Sequence, residues 1–316
     1  MDPYLSIVIP IYNEEENIPA LWERLSKVMA EHFADPAKPW EIIFTDDGSR
    51  DRSLAMLVDI AQAEPRVKVV EFNRNYGQHS AIFGAFAEVR GQVVVTLDAD
   101  LQNPPEEIPK LVAKVEEGYD AVGGWRQGRQ DNDSFFRTMP SKIVNAITRR
   151  TTGVKLHDYG CMLRAYSRDV VNAMLLCKER SSFIPALANS FAKRITEVPV
   201  AHAERSAGTS KYGMWKLINL QFDLLTSFSL LPLQMLSVFG VITAVLGFLL
   251  FLGLVIYRFL HPEGTAQGVF TLFAILFFFV GCQFIAFGLL GEYIGRIYQE
   301  VRDRPRYMVK KVHQAK

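Results

Sequence analysis

The sequence predicts a mostly parallel, Rossmann-like α/β domain, followed by an amphipathic interfacial helix and two transmembrane helices. Three observations carry this prediction. Over residues 5–123, apolar runs of strand length alternate with segments of helix length, the pattern of a doubly wound parallel sheet covered on both faces. Over residues 232–291 the chain is almost free of charge. Between these regions, residues 211–229 (KYGMWKLINLQFDLLTSFS) place Met214, Trp215, Leu217, Ile218, Phe222, Leu225 and Phe228 at roughly helical spacing, as in a helix lying in the membrane interface. The same spacing also suits a core helix of the soluble region.

The elements follow in order. Residues 5–11 (LSIVIPI) form a near-continuous apolar run, expected of a strand buried on both faces, and a helix follows over 17–32. A second strand over 40–45 ends in Asp46-Asp47-Gly48-Ser49, and is followed by a helix over 52–63 and a strand over 66–72. A helix over 79–89 leads to a fourth strand at 92–97 (QVVVTL). Prolines open the helix over 105–117, where they suit the first turn, and a fifth strand occupies 119–123. In sheets of this kind ligands bind beyond the carboxyl ends of the strands. Polar residues gather at three such ends: Tyr12-Asn13-Glu14, Asp46-Asp47-Gly48-Ser49 and Asp98-Ala99-Asp100.

Composition narrows the class. The 316 residues are 49% hydrophobic and carry a formal net charge of +1, which gives no electrostatic basis for nucleic-acid binding. Cys161, Cys177 and Cys282 lie too far apart for a metal-binding spacing or a disulfide framework, so reduced thiols are expected. The first residues lack a basic segment and run directly into a strand, so no cleaved signal peptide is expected.

Residues 232–257 contain no Asp, Glu, Lys or Arg; as a helix they reach roughly 39 Å, more than the ~30 Å hydrocarbon core. Residues 268–291 form the second span and 258–267 the connector. Arg296, Arg302, Arg304, Arg306, Lys310 and Lys311 follow the second span, whereas the connector's basic residues are Arg258 and His261. By the positive-inside rule the soluble region and both termini are expected on the cytoplasmic side. The expected division is 1–205 catalytic domain, 206–231 mobile loop and juxtamembrane amphipathic helix, 232–291 transmembrane hairpin and 292–316 cytoplasmic tail.

An Asp-x-Asp pair on a turn after a strand can hold a hard divalent cation through oxygen ligands. Such a cation would neutralise the charge growing on a departing diphosphate. Gln102 offers a further oxygen. Glycine-rich phosphate-binding loops are missing from the sequence. Arg137 and Ser141 are four residues apart and share one face if helical. Arg126 and Arg137 each offer a planar guanidinium fork, a shape that suits phosphate oxygens.

The strand-PxYNE, strand-DDGS and strand-DADLQNP segments resemble the family 2 glycosyltransferases of GT-A fold, in the branch that acts on polyisoprenyl phosphates. FNRNYGQHSAI (72–82), LDADLQNPPEEIP (97–109), DYGCMLRAY (158–166) and GEYIGRIY (291–298) are similar to the members that carry 4-deoxy-4-formamido-L-arabinose. The resemblance covers essentially the whole chain. It implies inverting transfer of that sugar from a UDP-sugar donor to undecaprenyl phosphate at the cytoplasmic face of the bacterial inner membrane, a step of lipid A modification. It also implies contact with membrane lipids and a homo-oligomer. Pro10, Tyr12, Asn13 and Glu14 would line the nucleotide pocket. Asp46 or Asp47 would contact the base or ribose, and Asp98 the ribose or donor sugar. Asp100, with Gln102 and Asp98, would ligate Mg²⁺ or Mn²⁺. Arg126, Arg137 and Ser141 would hold the acceptor phosphate, and Asp158 would orient the acceptor or act as base. Arg205 and Lys211, in the segment ERSAGTSK, would close over the donor; a basic membrane-surface linker is the alternative reading, and the two are compatible. Asn73, Asn75, Tyr76, Gln78 and His79 are candidates for shaping the donor pocket. A polyprenyl-phosphate glucose or mannose synthase, and a non-catalytic membrane scaffold, are the alternative readings.

Overall fold

The computed structural model describes residues 2–126, 157–158, 160–177, 183–202, 231–260, 268–302 and 304–315. Arg137, Ser141, Arg205, Lys211, the interfacial helix expected over 211–229 and most of the connector lie outside them. The chain divides into two compact units, Met1–Ile218 with Arg304–Lys316, and Asn219–Asp303.

In the first unit the five expected strands form as β1 (Leu5–Ile11), β2 (Trp40–Asp46), β3 (Val67–Phe72), β4 (Val93–Thr96) and β5 (Ala121–Arg126). The intervening helices are α1 (Ile18–His32), α2 (Ser53–Ala63), α3 (Gln78–Phe86) and α4 (Ile108–Glu116). They are followed by β6 (Arg164–Ser167), α5 (Arg168–Leu176), α6 (Ile184–Phe191) and β7 (Ile195–Val200). The sheet has eight strands in the order β7-β5-β6-β4-β1-β2-β3-β8, with β8 (Val309–Gln314) supplied by the C-terminal tail. Strand β1 pairs in parallel with β2 and β4, as do β2 with β3 and β5 with β7. Strand β6 runs antiparallel between β4 and β5, and β8 runs antiparallel to β3.

The central strands are apolar on both faces because each face meets its own helical layer. Ile7, Ile9, Ile42, Phe44, Val69, Val93 and Val95 belong to one buried cluster, with Ile18, Leu21, Leu25 and Leu111 from α1 and α4. The residues between them, Val8, Ile43, Val70 and Val94, belong to the other, with Ile82, Phe86, Val171 and Leu187 from α3, α5 and α6. This alternation is the two-residue side-chain period of a strand. Burying each such aliphatic side chain contributes about 1.5–3 kcal/mol. The buried residues of α1, Ile18, Leu21, Leu25, Val28 and Met29, recur every three or four positions, the stripe that a surface helix buries.

Strands β6, β7 and β8 come in addition to the five strands expected from the sequence. Strand β6 is four residues long and begins with an arginine. Strand β7 contains Pro199 and lies at the sheet edge, where a strand tolerates a missing donor. Strand β8 reads VKKVHQ, a basic sequence with an almost wholly exposed surface. It is registered by Glu71, whose two carboxylate oxygens meet Lys310 Nζ at 2.6 Å and His313 Nε2 at 2.9 Å.

The second unit contains α7 (Leu231–Leu260) and α8 (Val269–Val301). Helix α8 continues unbroken past Gly291, where the sequence reading began a separate tail, and β8 belongs to the catalytic unit. Among the described residues one window, the 18 residues Phe278–Gly295, is long and apolar enough to cross a membrane. Apolar side chains on both helices, among them Val241, Phe248, Phe284 and Ile285, are exposed, a surface that suits a lipid surrounding.

Candidate active site

The candidate site is built from turns at the carboxyl ends of the strands, and the first two turns are stitched together. Asn13 adopts φ 54°; its amide donates to Ser49 Oγ at 3.0 Å and its Oδ1 accepts from the Arg50 amide at 2.8 Å. The Glu14 amide donates to Ser53 Oγ at 2.9 Å, and Glu14 Oε2 accepts from Asn17 Nδ2 at 2.6 Å. Pro10 lies opposite Thr45 in the sheet, and Tyr12 is 41% exposed. An exposed aromatic beyond a rigid turn is available to stack on a nucleobase.

Asp46 and Asp47 separate into two roles. Asp47 Oδ1 accepts from the Tyr76 amide at 2.7 Å and Oδ2 from the Gly77 amide at 2.8 Å, so its carboxylate clamps the loop after β3. Asp46 is buried, with Oδ2 accepting from the Ser49 amide at 3.2 Å and Oδ1 left without a partner. Burial holds both carboxyls above their ordinary range, with the bonds from Ser49, Tyr76 and Gly77 pulling them back. Gly48 connects the two turns at φ +70°, and a Cβ there would lie 2.5 Å from the Arg74 carbonyl carbon. Gly48→Ala is therefore expected to destabilise the fold by about 1–3 kcal/mol, since backbone strain adds to the clash. A thermal melt checks this; an unchanged Tm contradicts the close approach.

The turn after β4 carries Asp98 and Asp100. Leu101 adopts φ 58° with its side chain buried, a backbone conformation that non-glycine residues seldom take outside sites the surrounding fold over-determines. The Gln102 amide donates to Asp100 Oδ1 at 3.2 Å, and Gln78 Nε2 donates to Asp98 Oδ1 at 2.6 Å. The Asp98 carboxyl is pushed up to about 7, first by burial and then by the negative charge of Asp100; Glu14 adds to the rise, while Arg126 and the Gln78 bond oppose it. Glu14, Asp98, Asp100 and Arg126 therefore share one electrostatic site.

Strands β5, β6 and β7 supply the opposite wall. Arg126 donates from Nε to Asp158 Oδ2 at 2.6 Å and from Nη2 to Asp158 Oδ1 at 2.9 Å, with the two side chains 10% and 12% exposed. Asp158 Oδ1 also accepts from the Gly160 amide at 3.0 Å. Arg164, buried, donates to the carbonyls of Cys161 and Asp158, each at 2.8 Å. It fits because β5 has glycines beside it: a Cβ on Gly123 would lie 3.2 Å from Arg164 Nη1, and one on Gly124 would lie 2.9 Å from the Leu163 oxygen. Glu197 on β7 accepts from the His157 amide at 2.9 and 2.7 Å and from the Asp158 amide at 3.1 Å, and meets His157 Nδ1 at 2.8 Å. The His157 ring stacks on Trp125 at 4.7 Å.

Of the residues predicted from sequence, the fold thus gathers Glu14, Asp98, Asp100, Arg126 and Asp158, and commits the Asp47 carboxylate to a backbone clamp. Gln78 reaches Asp98. His79 is half-buried, with Nδ1 unpartnered and its ring edge-on to Phe183 at 6.1 Å. Arg164 and Glu197 were missed as site residues. Arg164 lies inside the quoted DYGCMLRAY segment, but nothing in its spacing distinguishes it. Glu197 is a single carboxylate in a short strand and gives no local signal. Burial is the chief cause that pushes the Cys161 thiol up to about 11, away from the reactive thiolate form.

The sequence model of glycosyl transferase family 2 matches residues 6–175 of this chain, the span that builds β1 to β6. This chain belongs to glycosyl transferase family 2. Among family 2 relatives, the undecaprenyl-phosphate 4-deoxy-4-formamido-L-arabinose transferase of Klebsiella pneumoniae subsp. pneumoniae is 54% identical over 310 residues, covering 98% of this chain and 93% of the relative. The transferase of the same name from Pectobacterium carotovorum subsp. carotovorum is 56% identical over 309 residues, covering 97% and 93%. The fold is also similar to the crystal structure of mannosyl-3-phosphoglycerate synthase from Rubrobacter xylanophilus, with a TM-score of 0.50 and 14% identity over 70% of this chain and 71% of that one. The catalytic unit has the GT-A fold of family 2 enzymes, a mixed α/β structure around a mostly parallel sheet.

A hard divalent cation fits the family 2 site. Asp98 and Asp100 are oxygen donors; burial first and the charge of Asp100 second lift the Asp98 carboxyl, and a cation held there would offset both. Among the described residues no group of three or more His, Cys, Asp or Glu side chains could hold a metal ion. Mg²⁺ does not need one, because it is commonly held by one or two carboxylates together with substrate phosphates and water.

Proposed function

We propose that this chain transfers 4-deoxy-4-formamido-L-arabinose from its UDP donor to undecaprenyl phosphate, with inversion, at the cytoplasmic face of the bacterial inner membrane. The sugar and the acceptor rest on the activity of relatives named as undecaprenyl-phosphate 4-deoxy-4-formamido-L-arabinose transferases, at 54% and 56% identity over nearly the whole chain. One structural observation supports this chemistry above the others: the Asp98–Asp100 turn after β4 lies within electrostatic reach of Arg126 at the end of β5, which is paired with Asp158. An anionic wall suits a cation-bound diphosphate, and an arginine beside it suits the phosphate that attacks.

The acceptor supplies its own nucleophile, since a phosphate monoester loses its second proton near pH ~6. Direct displacement at the anomeric carbon then requires positioning more than proton removal. Arg126, with Arg137 and Ser141, holds the lipid phosphate. Asp158, with both oxygens bonded to Arg126, orients that arginine and is not required as a base. Tyr12, Asn13 and Glu14 border the nucleotide. Asp100, Asp98 and Gln102 would hold Mg²⁺ or Mn²⁺, which supplies positive charge to the leaving diphosphate. Two spans within residues 232–291 anchor the enzyme, and the basic residues after the second span support a cytoplasmic catalytic unit.

The test is mass spectrometry of the lipid formed by the purified full-length protein with undecaprenyl phosphate and a panel of UDP- and GDP-sugars. The expected product is undecaprenyl phosphate carrying 4-deoxy-4-formamido-L-arabinose. A glucosyl or mannosyl product from the panel would select the alternative donor. No lipid product from any donor, with no release of nucleotide diphosphate, would leave the scaffold reading.

A further inference from the structure

The segment that follows α8 does more than close the edge of the sheet. Tyr307 stacks on Phe72 with centroids 4.8 Å apart and planes 11° from parallel, and its hydroxyl donates to the Phe83 carbonyl at 3.3 Å. Arg306 lies 4.2 Å from the Phe83 ring centroid and donates to the Cys177 carbonyl. The Met308 carbonyl accepts from the Asn73 amide at 3.3 Å, and the Met308 sulfur from Asn73 Nδ2 at 3.5 Å. Phe72 itself has little freedom, because a Cβ on Gly84 of α3 would lie 2.5 Å from its ring.

These contacts bear on one loop, residues 73–77. Its far side is held by Asp47 through the Tyr76 and Gly77 amides. Tyr76 donates from its hydroxyl to Asn73 Oδ1 at 2.8 Å and meets Phe72 edge-on at 5.8 Å. The loop ends at Gly77, φ 94°, directly before Gln78, which bonds Asp98. A continuous line of contacts therefore runs from the tail through Asn73 and Tyr76 to the carboxylate at the donor side of the site.

We infer that Arg306–Met308 is a positioning element for the donor, setting loop 73–77 and through it Gln78 against Asp98. Tyr307 and Met308 touch no reacting group; they act through the loop. The inference rests on the proposed transferase reading for the identity of the donor. It also gives the chain's connectivity a consequence: the residues that set the donor loop follow, within a few positions, the helix containing the apolar window.

The test compares three variants of the full-length protein by steady-state kinetics in a UDP-sugar and polyprenyl phosphate assay. Tyr307→Leu removes the ring stack and is expected to raise the donor KM about tenfold while the acceptor KM stays within about twofold, the result of a misplaced binding loop rather than a lost fold. Tyr307→Phe keeps the stack and is expected to behave as wild type. Lys310→Ala weakens the same strand at Glu71 without touching the loop; it is expected to lower Tm and leave both KM values unchanged. Equal donor and acceptor effects in Tyr307→Leu, or a donor effect from Lys310→Ala, would overturn the inference. Should Tyr307→Leu not fold, hydrogen exchange of the wild type with UDP decides: slower exchange in both 73–77 and 306–314 is expected, and slowing confined to 73–77 would overturn it. A wild type that transfers no sugar under any condition would instead count against the proposed function.

Discussion

Asp100→Ala is expected to reduce transfer by about a thousandfold or more while leaving the catalytic unit folded. The side chain sits on a turn, where it accepts from the Gln102 amide at 3.2 Å, and the loss of a bond of that kind costs about 0.5–1.5 kcal/mol of stability. The catalytic loss is larger because the carboxylate is proposed to hold the cation that offsets charge on the departing diphosphate. Several kcal/mol of transition-state stabilisation are at stake, and each ~1.4 kcal/mol is worth tenfold in rate. The measurement is turnover across a Mg²⁺ and Mn²⁺ titration, with circular dichroism and Tm on the same samples. Asp100→Asn keeps an acceptor for the turn and should match the alanine variant in rate while recovering the stability. Wild-type turnover in either variant, or metal-independent turnover in the wild type, would remove Asp100 from a metal role.

Arg126→Met is expected to fail in two separable ways. The Arg126–Asp158 pair is bidentate and both side chains are almost buried. Removing one partner of such a pair costs about 3–5 kcal/mol, because the other charge is left without compensation. The second substitution, Asp158→Asn in the Arg126→Met background, should recover most of that stability. Activity should not recover: without the guanidinium the acceptor phosphate loses a charged donor, and kcat/KM for polyprenyl phosphate should remain at least about a hundredfold down, as expected for a charge-assisted contact to a reacting group. Thermal melts and acceptor-dependent kinetics on the single and double variants form the cycle. Recovery of activity alongside stability would make the pair purely structural.

Much of this molecule is legible in its residue order, for identifiable reasons. LSIVIPI is the apolar run expected of a strand with helices on both faces, and the alternation of its residues between two buried clusters bears this out. Asp98 and Asp100 were visible because a turn after a central strand must emerge where parallel sheets bind ligands. Arg126, which ends β5, and Asp158 were both legible through the family resemblance. Their pairing across 32 positions was not. Strand β6 was hidden for a related reason. It is held by pairing with β4 on one side and β5 on the other, so four residues with no apolar pattern of their own suffice. Asp47 illustrates the converse: DDGS matches a nucleotide-binding motif, yet in the fold the carboxylate spends both oxygens on a loop some thirty residues further along.

By itself the sequence determined the layered sheet, the acidic turns at its carboxyl edge, the long uncharged stretches near the C-terminus and membership of family 2, because periodicity, breaker residues and motif chemistry are local properties. Tertiary structure alone decided that the basic tail returns as β8 beside β3, that Arg126 is presented by Asp158, and that Glu197 and Arg164 brace that pair. Each of these depends on which distant groups become neighbours once water is excluded. A charge or a short strand carries no mark of its partner until burial makes an unpaired state costly.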